Sequence, residues 1–101
     1  MREVVFVDGM RTPIGKQGGT LRTIAADDLA AMTVKALIAK TGIIEKGGKV
    51  DSVMCGSAAT SSKSWSPARY VAMAAGLPFE TSASFVEMQC GSAIDSINHA
   101  A

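Results

Sequence analysis

The chain carries the tetrapeptide Cys-Gly-Ser-Ala twice, at Cys55–Ala58 and at Cys90–Ala93, and these copies hold its two cysteines. A cysteine attacks as the thiolate, which is favoured where the sulfur meets the positive end of a helix and its free backbone N–H groups. Only the context of the two copies differs. After Cys55 come Ala59-Thr-Ser-Ser-Lys-Ser-Trp65, with no helical period, whereas Cys90 runs directly into the amphipathic Ser92-Ala-Ile-Asp-Ser-Ile-Asn98. Cys90 is therefore the candidate nucleophile, and Cys55 reads as a small hydrophobe closing a strand. Cys90 shares a helical stripe with Ala93, Ile94, Ile97 and Ala101, so it is expected to be shielded. Spacing leaves two readings of that position open. One is a nucleophile whose covalent intermediate is kept from water; the other is a buried structural thiol. Strand–nucleophile–helix elbows serve many unrelated enzymes.

Other chemistries find little support. Cysteines 35 positions apart and a single histidine form no metal-ligand spacing or disulfide framework, so no metal site is expected. Gly15-Lys16 is not a phosphate loop, because Gly9 lies one position too far upstream and Gln17 replaces the metal-binding Ser or Thr. A net charge of +1 without a Lys/Arg cluster argues against nucleic acid as a partner. The run Val4-Val-Phe-Val7 is too short for a signal core, and no stretch approaches the roughly 18 apolar residues that span a bilayer. A soluble chain of a reducing compartment, with a cytoplasmic location, is the expectation.

Six elements must position Cys90. Val4–Val7 is a continuous apolar run, the pattern of a strand covered on both faces. A glycine-rich loop over residues 9 to 26 leads to a helix opened by Asp27-Asp28, with Asp27 or Asp28 as N-cap and Gly42 at its end. Its stripe of Ala30, Val34, Leu37 and Ile38, widened by Leu29, Met32 and Ala36, predicts burial on more than one side. Val50–Gly56 reads as a second strand, and Ser57–Ser66 as a Ser/Thr-rich loop with Lys63 and Trp65. A helix comes next, from Ser66-Pro67 to Gly76, then a third strand over Ala83–Met88. The last helix has Ala93, Ile94, Ile97, Ala100 and Ala101 on its inner face. The order strand-helix-strand-helix-strand-helix is α/β and implies a mainly parallel sheet. With 48% apolar and 19% charged residues, the chain is apolar for a small free domain. The apolar final helix also lacks a capping signal, so residues 1–101 are expected to be part of a larger fold.

The flanking motifs carry a resemblance. Arg11-Thr-Pro-Ile-Gly-Lys-Gln-Gly-Gly19, Ala26-Asp-Asp-Leu-Ala30, Val50-Asp-Ser-Val53, Pro67-Ala-Arg69, Ala75-Gly-Leu-Pro78 and Gln89-Cys-Gly-Ser92 occur in the same order as in the thiolases, the acetyl-CoA acetyltransferases and their relatives, which the chain resembles. Ketoacyl synthases and hydroxymethylglutaryl-CoA synthases share that fold and a nucleophilic cysteine, but their cysteine motifs typically lack Gln-Cys-Gly-Ser. Two segments depart from the family's usual wording. Val86-Glu-Met-Gln89 stands where Asn-Arg-Gln is common, and Ser62-Lys-Ser-Trp-Ser66 where Gly-Gln-Asn is common.

The resemblance implies an incomplete N-terminal half of the five-layer thiolase fold, with the remainder absent or on another chain. It implies that Cys90 forms an acyl-enzyme thioester in reversible Claisen condensation or thiolysis of a 3-ketoacyl-CoA. Acyl-CoA and acetyl-CoA would be substrates, and no further cofactor is implied. The activating His, a second Cys and most of the coenzyme A site would lie outside residues 1–101, and no coenzyme A contact is assigned within them. His99 does not replace that base, because it lies more than two turns along the same helix as Cys90. The family also implies a dimer or tetramer, with Ala83–Met88 at an interface. The alternatives are a non-catalytic module that keeps part of a thiolase fold for assembly, and a thiol redox sensor at Cys90.

Overall fold

The structure, a computed structural model, describes residues 2–59 and 63–101. Met1 and the Thr60–Ser62 part of the Ser/Thr-rich loop lie outside the described residues. The elements are α1 (Ala26–Thr41), β1 (Ser52–Gly56), α2 (Pro67–Ala74), β2 (Ser82–Val86) and α3 (Ser92–Ala100). The strands pair in parallel, with register partners from Ser52↔Ser82 to Gly56↔Val86. Both α2 and α3 pack on this sheet without touching each other, which places them on opposite faces; α1 packs on α2. The layers therefore run α1, α2, sheet, α3.

The core centres on α2, the one helix covered on two sides. Ala68, Val71, Ala72, Ala75 and Leu77 are buried there, with Ala31 of α1 against them. Pro67 opens α2 at a position where its missing N–H costs nothing. Gly76, at φ 84°, closes it: its N–H reaches Met73 O, and the Leu77 N–H reaches Ala72 O. Arg69 then pins the descending chain, donating to Thr81 O at 2.7 Å and Phe79 O at 2.9 Å while lying 4.8 Å from the Phe79 ring centre.

Four expectations change. The N-terminal run does not join the sheet: Val4–Val7 are exposed, Phe6 at 84%. The chain that follows it lies at the end of α1, where the Asp8 carboxylate takes a 2.8 Å contact from Lys40. The start of α1 is the end tied to the loop that leaves β1, through Lys63 and Asp27. A parallel first strand would have to finish there, at the opposite end of a 16-residue helix, about 24 Å long. Only Val7 of the run borders a cleft of about 450 Å³, with Leu37, Ile38, Ile43 and Val50.

The start and the face of α1 also differ. Its N-cap is Ala25, without a side-chain bond, so neither aspartate caps it; both lie in its first turn. Ala30, Val34, Leu37 and Ile38 are half-buried, but Met32 and Ala36 face water, so α1 packs on one side only. For α3 the inner face is inverted. Ser92 and Ser96 are buried, whereas Ile94 (69% exposed) and Ile97 (47%) point outward with Ala93, Ala100 and Ala101. Small side chains let the helix come close to β1. Their hydroxyls donate to Gln89 O and Ala93 O, so burying them leaves no unmet polar group.

Candidate active site at the start of the third helix

Cys90 lies between β2 and α3, on a turn closed by its neighbours. The Gly91 N–H donates to Met88 O at 3.0 Å and the Ser92 N–H to Gln89 O at 3.2 Å. The Ser92 hydroxyl accepts from the Met88 N–H at 2.8 Å and donates to Gln89 O at 2.7 Å. Ser92 is 2% exposed, so these bonds form away from water. Gln89 takes φ +49°, a left-handed conformation that costs a non-glycine residue roughly 1–2 kcal/mol. Strain of this kind persists where surrounding contacts enforce it, and the Ser92 clip is such a contact.

The thiol of Cys90 is exposed in this chain, which corrects the expectation that its helical stripe shields it. The stripe it shares with Ile94 and Ile97 is the outward one. Gly91 is the N-cap of α3, so Cys90 stands one residue ahead of the cap on the turn that leads into the helix. Cys55 has a different setting. It is half-buried within β1, and burial first, then the charge of Asp27, pushes its thiol above the ordinary value of 9.0.

The two tetrapeptides meet. A β-carbon at Gly56 would overlap the carbonyl oxygen of Ser92, so the end of β1 and the start of α3 touch backbone to backbone. Beside them, Ser57 N–H donates to Val86 O at 3.4 Å. The connection after β1 is anchored further on. The Lys63 backbone N–H donates to Asp27 Oδ2 at 3.0 Å and its ammonium to Asp28 Oδ2 at 2.6 Å. Tyr70 donates to the other Asp28 oxygen, and its ring lies 5.3 Å from the Lys63 ammonium. Lys63 first and the Tyr70 hydroxyl second hold the Asp28 carboxyl below the ordinary carboxylate value.

His99 stays at the far end of α3, its Nδ1 2.9 Å from Asp95 O within its own helix. Among the described residues, no three His, Cys, Asp or Glu side chains gather as a metal site, and no helix is long and apolar enough to cross a membrane. The sequence singles out Cys90 as a candidate but does not show the clip around it. The available signal was a Ser three residues after Gln89, a spacing at which a hydroxyl reaches back to a carbonyl.

Comparison with known proteins agrees with this layout. The family model described as "Thiolase, N-terminal domain" matches residues 4–101. The chain is 36% identical over its full length to the 3-oxoadipyl-CoA/3-oxo-5,6-dehydrosuberyl-CoA thiolase of Escherichia coli K12, covering 25% of that protein. It is 39% identical over 98% of its length to an acetyl-CoA acetyltransferase of Chromobacterium violaceum, again covering 25%. The structure of acetyl-CoA acetyltransferase from Syntrophomonas wolfei superposes on 89% of this chain and 22% of its own, with a TM-score of 0.79 and 29% identity. The chain thus spans about a quarter of the length of the curated relatives it matches. Fold, motif order and these relatives lead to one conclusion: the chain belongs to the thiolase acyltransferase family, as a member of its N-terminal domain.

Proposed function

We propose that this chain supplies the nucleophile of an acyl-CoA acyltransferase. The observation that carries the reading is the exposed Cys90 thiol, held on the clipped turn at the start of α3. In this reading the Cys90 thiol gives its proton to a base from outside residues 1–101, and the thiolate attacks the thioester carbonyl of an acyl-CoA. The new S–acyl bond forms as the carbon–sulfur bond to coenzyme A breaks, and the departing thiolate takes up a proton. The oxyanion that forms between these events needs N–H donors other than those of Gly91 and Ser92, which already bond Met88 O and Gln89 O. The acyl group then passes to an acetyl-CoA deprotonated at its methyl carbon, giving a 3-ketoacyl-CoA; thiolysis is the reverse. Coenzyme A thioesters are the substrates, and no other cofactor takes part.

The same proposal places the enzyme in the cytoplasm as a dimer or tetramer, with residues 83–88 at an interface and the acid/base groups on the remainder of the protein or a companion chain. A second reading, an assembly module without catalysis, draws on the outward Ile94 and Ile97. One experiment separates the two. Brief incubation of the full-length protein with acetyl-CoA, acid quench and peptide mass spectrometry should find the acetyl group on Cys90. An unmodified Cys90, or acetyl on Cys55 instead, would reject the catalytic reading.

A further inference from the structure

The Gly91 N–H donates to Met88 O at 3.0 Å, so Met88–Gly91 is a four-residue turn with Gln89 and Cys90 at its centre. Gln89, at φ +49°, is the sole non-glycine residue with positive φ among the described residues, so Cys90 follows it at negative φ. Positive then negative φ at the two central positions is the pattern of a type II′ turn, whose first central residue is usually glycine. A second turn overlaps the first. The Ser92 N–H donates to Gln89 O at 3.2 Å, and Gly91, at φ −85° and ψ −3°, has the angles of the third residue of a type I turn. Cys90 is central in both turns, and its direction depends on the backbone of the residue before it. A glutamine there is held against its own preference, and enforced strain of this kind collects at functional sites. The holding group is the Ser92 hydroxyl, which accepts from the Met88 N–H at 2.8 Å and donates to Gln89 O at 2.7 Å. These two backbone groups lie on either side of the Gln89 φ torsion, so one oxygen bonded to both fixes that angle. Ser92 is itself fixed: it is 2% exposed, and its carbonyl lies against Gly56 at the end of β1.

We infer that Ser92 is a positioning residue for acyl transfer: its hydroxyl keeps Gln89 left-handed and so aims the Cys90 thiol at the thioester. The inference rests on the acyl-transfer reading above and adds the residue that orients the nucleophile. Being buried, Ser92 acts through Gln89 and not on the substrate. Without the hydroxyl, Gln89 relaxes toward negative φ and Cys90 spends most of its time pointing elsewhere. Acyl transfer needs the sulfur in line with a carbonyl held beside it, so it suffers from such a misplacement. Alkylation by a small reagent needs only an exposed thiol and does not.

The test follows two reactions of Cys90 in the full-length protein by peptide mass spectrometry: acetylation by acetyl-CoA and alkylation by iodoacetamide. Ser92→Ala should slow acetylation about tenfold, the scale of a non-glycine residue's preference against left-handed backbone, and leave alkylation within about twofold. In a Gln89→Gly background, where that conformation carries no strain, adding Ser92→Ala should slow acetylation by less than about threefold. This second comparison stands even where Ser92→Ala alone folds poorly. Acetylation within about twofold of the parent in folded Ser92→Ala overturns the inference. So do equal losses of acetylation and alkylation, or a tenfold loss that persists beside Gln89→Gly, since either leaves Ser92 a merely structural role. If the parent protein is not acylated at Cys90 at all, the acyl-transfer reading fails first and takes the inference with it.

Discussion

Cys55 and Cys90 sit in the same four residues, and the structure gives them opposite surroundings. The first is half-buried inside a strand, with its thiol pushed upward by burial and a neighbouring carboxylate. The second is exposed on a turn that leads into a helix. The serines two positions beyond them diverge too. Ser57 is half-buried and donates forward to Ala59 O, whereas Ser92 is buried and closes the turn behind it. Gly56 allows a backbone contact with Ser92 that no other residue permits, while a β-carbon at Gly91 would come no nearer than 3.3 Å to Met88 O. The surroundings of each thiol are thus set by the helix or loop downstream of the tetrapeptide and by the elements packed on it, not by the tetrapeptide itself.

The largest expected contrast is catalytic. Cys90→Ala in the full-length protein should reduce acyl transfer by at least about ten-thousandfold, the scale for losing a nucleophile. Cys55→Ala should leave the rate of the same order. Steady-state assays of both variants check this, and comparable losses would erase the distinction between the two copies.

A smaller contrast concerns stability. Gly56→Ala forces β1 and α3 apart and should cost about 1–3 kcal/mol of unfolding free energy, as overpacking does. Gly91→Ala, at φ −85° and with more room, should cost less than about 1 kcal/mol. Denaturant unfolding of the two variants measures the difference, and equal losses would show that the backbone contact is not the cause.

The smallest contrast is in pH. A thiol raised by burial is favoured in its protonated form by the fold. Its contribution to stability is complete below the unfolded thiol value and is lost as pH rises through the folded one. Iodoacetamide should therefore modify half-buried Cys55 more slowly than exposed Cys90, with the Cys55 rate rising as pH is raised. Asp27→Asn removes the lesser of the two causes and should shift the Cys55 profile slightly toward lower pH. Peptide mapping across a pH series reads both, and a Cys55 that labels as readily as Cys90 at neutral pH contradicts the comparison.

Much of the fold is legible from residue order. Val50–Gly56 and Ala83–Met88 are recognisable as strands and appear as Ser52–Gly56 and Ser82–Val86, because short apolar runs between turn signals have few other uses. The helix from Pro67 to the Gly76 stop is legible because both ends carry residues with restricted or special backbone angles. What misleads is apolarity taken as inwardness. Ile94 and Ile97 describe a face that could be buried, but Gly56 selects the serine face of α3, and that choice is a contact between residues 36 positions apart. Val4–Val7 reads as a strand by composition, yet it stays exposed beside the end of α1, where Asp8 meets Lys40, a placement that no local pattern encodes. At the candidate site the thiol is visible in the sequence and its clip is not, since a serine after a glycine has many possible partners.

The contact between Gly56 and the Ser92 carbonyl has a dynamic consequence. Most junctions between a helix and a sheet are cushioned by side chains, whose rotamer hops let the two elements slide by fractions of an ångström. Here main chain meets main chain, so that soft layer is absent. Fast motion of the Cys90 turn should therefore track that of β1, and nitrogen-15 order parameters at Ser92 should match those of the strand rather than those of an exposed loop.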